Sequence, residues 1–289
     1  MDFGNVLTAM VTPFSADGGI DFEVTTELIE HLINTGTDGI VVAGTTGESP
    51  TLSEKEKIAL FKHVVNVVDH RIPVIAGTGN NNTADSITLT KEAEKCGVDG
   101  IMLVTPYYSR PSQQGLYEHF SAIAKQTTLP IMLYNIPGRS SVNMTSETTI
   151  RLSEIDNIVS TKEASGDLDE ISRIIEYTKD NFMVYSGDDS MTLPILAIGG
   201  DGVVSVASHV IGNEMSALVS AFKNGETKKA ADIHRRILPT IKGLFKAPSP
   251  APVKAALNIK GINVGGLRLP LVGLTNEENE ELKALLENK

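Results

Sequence analysis

Cysteine is almost missing from this 289-residue chain. Its one thiol, Cys96, has no partner for an internal disulfide, which suits a reducing compartment, the cytoplasm. The preceding residues Lys91-Glu92-Ala93-Glu94-Lys95 read as a helix surface and not as the setting of an activated thiol. Positive charge is also short: 25 Lys and Arg stand against 36 Asp and Glu, for a net charge of −11. Such a surface repels phosphate backbones, so nucleic acid is not expected as a partner. Long apolar runs are missing too. The longest are strand-sized, well under the roughly 20 residues that span a bilayer, and Met1-Asp2-Phe3-Gly4 shows no basic region ahead of an apolar one. Neither membrane insertion nor export is expected. The six histidines, His31, His63, His70, His119, His209 and His234, are scattered without HExxH or other ligand spacing. A zinc-dependent mechanism therefore has no visible donor set, and each histidine is expected at the surface or in packing.

What the chain does have is alternation. Strand-like runs at residues 6–11, 39–43, 74–77, 100–104, 131–134, 158–161, 183–186 and 203–206 are separated by segments of helical period. The helical segments fall at 21–35, 53–68, 83–96, 113–126, 146–152, 168–178, 190–198 and 213–223. That order predicts parallel strands joined by crossover helices, and eight repeats predict a (β/α)8 barrel of ordinary size, about 250 residues. Several runs are nearly continuous Val, Ile, Leu and Met, as expected of strands covered on both faces. Ser53 and Glu56 form a capping-box pattern. An internal echo marks three strand entries: Gly36-Thr37-Asp38-Gly39, Gly97-Val98-Asp99-Gly100 and Gly200-Asp201-Gly202. Each reads as a helix end closed by glycine and a tight turn into a buried strand, a matter of stability and not of catalysis. After Gly225 only helical patterns remain, at 227–245, 252–260 and 275–288. The chain therefore divides into a catalytic barrel over 1–224 and a helical appendage over 225–289, whose stripe Ile233, Ile237, Ile241 and Leu244 suits packing on the barrel or on another subunit.

In such barrels the chemistry sits at the C-terminal ends of the strands. Four of those positions are informative: Thr45 with Thr46, Tyr107 with Tyr108, Tyr134, and Lys162. Lys162 ends Asn157-Ile158-Val159-Ser160-Thr161-Lys162, which puts an amine at the inner mouth, while most other lysines fall on helix faces. Desolvation there lowers the pKa from about 10.4 and exposes a neutral amine able to attack a ketone. The plain alternative is an ion pair with Glu163 or a frayed strand end. The loop Gly44-Thr45-Thr46-Gly47-Glu48 contains neither a Walker lysine nor a GxGxxG pattern. Its exposed N–H groups and hydroxyls suit a carboxylate. Tyr134 closes a strand where its phenol can pass protons, and Arg139, on the loop that follows, offers a planar fork for a second carboxylate. Taken singly, a strand-end tyrosine is often packing and a loop arginine is usually solvated.

In this order, Gly44 to Glu48, Val104-Thr105-Pro106-Tyr107-Tyr108, Arg110-Pro111, Tyr134-Asn135-Ile136-Pro137-Gly138-Arg139 and Lys162, the chain resembles the pyruvate-dependent Schiff-base aldolase superfamily, and within it the dihydrodipicolinate synthase family. The resemblance runs from Val6 through the C-terminal helices. It implies that pyruvate condenses on Lys162 and tautomerises to an enamine that attacks L-aspartate 4-semialdehyde, with no cofactor beyond that covalent link. It further implies a proton relay of Tyr134, Thr45 and Tyr108, the last donated from a neighbouring subunit. Thr45 and Thr46 would hold pyruvate's carboxylate, Arg139 that of the semialdehyde, and Gly187 and Val204 would line the pocket. The family forms tetramers of tight dimers, with some dimeric members. Related sugar-acid and sialic-acid lyases share the lysine and the tyrosine but are not expected to carry Arg139 in this setting or the Tyr107-Tyr108 pair. A 2-keto-3-deoxy sugar-acid or sialic-acid type aldolase is therefore the alternative within the class. A non-catalytic keto-acid sensor is the alternative outside it, opposed by the joint presence of an amine and a proton relay. Lysine-sensitive relatives carry histidines where this chain has Glu54 and Lys57. Ser49, Asn81, Asp85 and Tyr107 remain for a control pocket at a dimer interface, but Pro50 and Lys57 alter its shape and charge against a cationic ligand, so weak or absent inhibition by lysine is expected.

Overall fold

Alternating strands and helices close on themselves. In the computed structural model, which describes residues 3–287, eight parallel strands form a closed barrel in sequence order. They are β1 (Val6–Ala9), β2 (Gly39–Val42), β3 (Val74–Gly77), β4 (Gly100–Val104), β5 (Ile131–Asn135), β6 (Ile158–Glu163), β7 (Met183–Ser186) and β8 (Gly202–Ser205). The helices are α1 (Phe22–Asn34), α2 (Glu54–Val68), α3 (Thr83–Lys95), α4 (Gln113–Ala124), α5 (Pro137–Ser140), α6 (Ser146–Ser153), α7 (Leu168–Tyr177), α8 (Thr192–Ala197) and α9 (Ser208–Lys223), followed by α10 (Thr227–Gly243), α11 (Ala251–Ile259) and α12 (Asn276–Glu287). Two cores result from the alternation of side chains along each strand. Phe3, Leu7, Ala9, Val41, Ile75, Met102, Met132, Tyr134, Tyr185 and Val204 fill the barrel, and a larger set fills the layer between strands and helices.

The echoed aspartates have a shared task at the end of the barrel away from the loops after the strands. Asp38 accepts from the backbone N–H of Asn5 and Val6 at 2.9 Å each, Asp99 from Val74 at 2.8 Å, and Asp201 from Val184 at 2.7 Å. Each carboxylate satisfies donors at the start of a neighbouring strand that the ladder does not reach. Left-handed glycines close the preceding helices at Gly36 (φ +91°) and Gly97 (φ +83°), as expected. In the third copy the left-handed residue is Gly199 (φ +106°), one position before the glycine that the echo marks. Among the histidines, His209 is fully buried. Its Nε2 accepts from the Val11 N–H at 3.1 Å, which leaves Nδ1 to donate to the Val206 carbonyl at 2.8 Å, and burial pushes its pKa down to about 4.

Boundaries differ from expectation where tertiary contacts override local pattern. β1 stops at Ala9, and β6 runs on through Glu163, so Lys162 lies within the strand and not after it. The helix expected over 190–198 is a 3-10 turn, Asp189–Met191, followed by α8. α9 begins at Ser208 because two helical pieces join across a kink at Ile211 (φ −132°, ψ 40°), and the expected start at 213 marks only the second piece. Neither α5 nor the 3-10 turn Ser49–Thr51 has a helix-length pattern in sequence. Of the last expected helix, Asn288 lies outside the described residues. The stripe Ile233, Ile237, Ile241 and Leu244 is buried in the chain's own main core, which answers the choice between barrel and partner. Beyond α11 the chain returns to the barrel, where the Phe14 N–H donates to the Val264 carbonyl at 3.1 Å.

Candidate active site

Parallel register brings the amine and the phenol together. On β5 and β6, Tyr134 and Lys162 are direct partners, and the next strand places Tyr185 opposite Lys162. Lys162 is 5% exposed, Tyr134 is 3% exposed, and the Lys162 Nζ sits 4.2 Å from the centroid of the Tyr134 ring. Burial lowers the lysine pKa to about 8, the Asp189 carboxylate partly opposes that fall, and the Arg139 guanidinium adds to it. Burial also raises the Tyr134 phenol to about 12, against the pull of Arg139 and a hydrogen bond with the Thr45 side chain. At neutral pH the arrangement gives about one-tenth of the amine in its neutral form, far more than an ordinary lysine, beside a phenol that stays protonated. That combination allows attack on a carbonyl and protonation of the oxygen it displaces.

Glu163 is not the lysine's ion-pair partner. Adjacent strand residues point to opposite faces, and the buried Glu163 carboxylate accepts from Asn135 at 3.3 Å and from the Ser165 hydroxyl at 3.0 Å. With its other oxygen buried and unpartnered, its pKa is pushed up to about 7, chiefly by burial. Asn135 also donates to Asn143 Oδ1 at 2.7 Å and accepts from the Met144 N–H at 3.0 Å. Together they pin both ends of the loop that carries α5 and Arg139.

A cavity of about 230 Å³ is lined among others by Thr45, Tyr134 and Arg139; Lys162, Thr46, Gly187 and Val204 are not in its lining, and the lysine meets it through its register partner Tyr134. Thr45 is half-buried and Thr46 buried on the turn after β2, which is closed by the Glu48 N–H donating to the Thr45 carbonyl at 3.1 Å. Gly187 follows β7 on the far side of the lysine. A Cβ there would lie 2.8 Å from Ala164 Cβ and 3.1 Å from Lys162 Cε, so a larger residue would crowd Ala164 and press on the lysine stem. Val204 on β8 faces the barrel interior among Tyr134 and Tyr185.

The expected control residues divide. Ser49, Lys57 and Tyr107 line the same cavity as Thr45 and Arg139, whereas Glu54, Asn81 and Asp85 are exposed and outside its lining. Asn81 reaches the group only by donating to the Tyr107 carbonyl at 3.3 Å. Tyr108 stands apart: at φ +73° it is 89% exposed and is not part of its own chain's cavity lining.

Asp189 is the charged residue near Lys162 that the sequence reading missed. It is 2% exposed, accepts from the Ser205 hydroxyl and from the N–H groups of Val206 (3.0 Å) and Ala207 (3.2 Å), and its charge opposes the fall in the Lys162 pKa. Its place two residues after Gly187, past a strand end, was the available signal. Among the described residues no group of three or more His, Cys, Asp and Glu is placed to hold a metal ion, and no helix is long and apolar enough to cross a membrane.

An eight-stranded parallel barrel with a buried, pKa-lowered lysine at its catalytic mouth defines a class, the barrel enzymes that work on carbonyl compounds through an amine. Within that class the chain belongs to the Dihydrodipicolinate synthetase family, whose sequence model matches residues 2–289. It is 61% identical over 287 residues to the 4-hydroxy-tetrahydrodipicolinate synthase 2 of Halalkalibacterium halodurans, covering 99% of this chain and 98% of that one. Its fold superposes on the dihydrodipicolinate synthase DapA-2 of Bacillus anthracis with a TM-score of 0.98 at 57% identity, covering 100% and 99% of the two chains. The enzyme of Cyanidioschyzon merolae, crystallised with lysine bound, matches with a TM-score of 0.96 at 47% identity over 98% of this chain and 97% of that one.

Proposed function

We propose that this protein is a 4-hydroxy-tetrahydrodipicolinate synthase, a lyase that condenses pyruvate with L-aspartate 4-semialdehyde on the diaminopimelate route to lysine. Full-length relatives of that name support the activity. The observation that carries the chemistry is the buried Lys162 amine, with its pKa near 8, 4.2 Å from the Tyr134 ring. In this reading the neutral amine adds to the pyruvate ketone, and loss of water gives an imine. Removal of a methyl proton then gives an enamine, whose carbon forms a bond to the aldehyde carbon of the semialdehyde. The amino group of that substrate next attacks the imine carbon, which closes the ring and releases Lys162. Every step is a proton transfer or a carbonyl addition or elimination, so the covalent link to Lys162 serves in place of a cofactor.

Thr45 and Thr46 bind the pyruvate carboxylate, Arg139 binds that of the semialdehyde, and Gly187 and Val204 shape the wall. Tyr134 and Thr45 share protons with Tyr108 supplied from a second copy. Its exposure on a single chain supports this assignment. The working unit is then at least a dimer, within a cytoplasmic homotetramer of two tight dimers. Ser49, Lys57 and Tyr107 border the substrate cavity with a charge that disfavours cationic lysine, so feedback control is weak.

Intact-protein mass spectrometry after incubation with pyruvate and borohydride, followed by peptide mapping, tests the reading. A reduced pyruvyl adduct is expected on Lys162. Folded, pyruvate-saturated protein without one overturns the amine mechanism.

A further inference from the structure

Lys254 is a second enclosed lysine, and it belongs to the helical region that the reaction as described does not use. It lies on α11 and is 1% exposed. Its Nζ stands 2.7 Å from Glu48 Oε1, donates to the Gly266 carbonyl at 2.6 Å and sits 4.2 Å from the centroid of the Phe14 ring. Glu48 is as fully enclosed, and its Oε2 accepts from the Arg268 N–H at 3.0 Å. Two groups from the C-terminal region therefore grip one carboxylate near the start of the chain.

That carboxylate is the end of the Gly44–Glu48 turn. The Glu48 backbone is left-handed (φ +56°), its N–H closes the turn on Thr45, and the Thr12 hydroxyl donates to the Gly47 carbonyl at 2.7 Å. The turn is thus fixed at its base by side chains that never reach the cavity. A second arm runs outside it, where the Arg268 guanidinium donates to the carbonyls of Gly18 and Thr51 and pairs with Glu56. Stability does not by itself explain the inner arm, because a buried ion pair is commonly no more stabilising than an apolar pair of similar size. What it supplies is direction: the Lys254 ammonium on one oxygen and the Arg268 backbone N–H on the other hold one carboxylate in one orientation.

We propose that Glu48 and Lys254 are positioning residues through which the C-terminal helices fix the Thr45–Thr46 turn and thereby set the affinity for the carboxylate of the keto acid. The proposal rests on the reading that this turn binds pyruvate's carboxylate.

The test compares Lys254→Met, Glu48→Gln and the double variant with Leu282→Ala, which removes a buried side chain of α12 remote from the turn. Each is scored for melting temperature, KM for both substrates, and the pyruvate concentration giving half-maximal borohydride trapping. The two single variants are expected to raise that concentration about tenfold or more, as misplaced binding groups do, with KM for the semialdehyde within about twofold of wild type. The double variant, which leaves no lone buried charge, is expected to recover melting temperature but not pyruvate affinity. Leu282→Ala is expected to lower the melting temperature alone. Variants that melt lower yet half-saturate at the wild-type concentration overturn the proposal, as does recovery of pyruvate affinity in the double variant. If Lys254→Met does not fold, Glu48→Gln, which keeps the shape of the carboxylate, decides; if neither folds, the pair is a folding determinant and the proposal is rejected. Absence of a wild-type adduct on Lys162 would instead remove the reading on which it rests.

Discussion

Lys162 Nζ lies 4.2 Å from the centre of the Tyr134 ring because the two residues are register partners on adjacent parallel strands. Their relation is held by the barrel and not by a loop, so the ring can be kept while the hydroxyl is removed. Tyr134→Phe should preserve the cation–ring contact and the packing. Adduct formation on Lys162 should persist, while kcat falls by about 10²- to 10³-fold through loss of proton transfer. Steady-state rates beside borohydride trapping separate the two effects. A variant with wild-type kcat would remove Tyr134 from the relay.

The amine should announce its environment in the pH dependence of trapping. A group titrating near 8 is about one-tenth neutral at pH 7, against about one part in three thousand for a lysine near 10.5. The initial rate of adduct formation at subsaturating pyruvate should rise about tenfold per pH unit between 6 and 7, then level above 8. Lys162→Arg, charged throughout, should form no adduct. A trapping rate still climbing steeply at pH 9.5 would place the amine in water and not in the barrel.

The barrel and the reactive mouth were legible in the sequence for a local reason: hydrophobic runs with turn chemistry between them locate strand ends, and strand ends locate the site. Lys162, Thr45 and Tyr134 could be found that way. What lay hidden depends on partners remote in sequence. No local pattern around Glu48 announces Lys254, and none around Glu163 tells that its side chain turns from Lys162 toward Asn135. The 3-10 turn at Asp189–Met191 and the start of α9 likewise meet where Asp189 accepts from Ser205 and from the N–H groups of Val206 and Ala207 past β8. Tertiary hydrogen bonds decide these, and helical periodicity does not record them.

Glu163 should make stability depend on pH with an unusual sign for a carboxylate. Its folded pKa is raised to about 7 from an ordinary 4.5, so the folded chain binds the proton more tightly than the unfolded one. Stability from this group is fully present below about 4.5 and is lost as pH rises to about 7, by up to about 3 kcal/mol. Glu163→Gln imitates the protonated form. Relative to wild type it should melt higher at pH 8 and equally at pH 4.5. A lower melting temperature at pH 8 would show that the ionised form is the one the Asn135 and Ser165 hydrogen bonds require.

Tyr108 touches too little of its own chain to matter for folding, being 89% exposed. Tyr108→Phe should leave the melting temperature within about 1 °C, as surface changes do, and lower kcat strongly. Its effect should be repaired in mixed dimers: co-assembly of Tyr108→Phe with Lys162→Ala gives some sites that own an intact lysine and receive an intact tyrosine. Activity regained on mixing, about a quarter of wild type for random pairing, fits a tyrosine donated across subunits. A fully active stable monomer would contradict it.

Weak control by lysine is expected because of Lys57. Its side chain lines the cavity with Ser49 and Tyr107, where burial lowers its pKa and Glu54 partly restores it. A free amino acid with a cationic side chain entering that space meets a like charge, which opposes binding. Little inhibition is expected at 1 mM lysine, a concentration corresponding to about −4.1 kcal/mol. Lys57→His, neutral over most of the population at pH 8, should increase sensitivity, and Glu54→His added to it should increase sensitivity further, with KM for pyruvate measured beside both because Lys57 lines the same cavity. Inhibition assays across the three proteins measure this directly. Half-inhibition of the wild type at submillimolar lysine would mean that the Lys57 ammonium turns aside when the ligand enters, and the charge argument would fail.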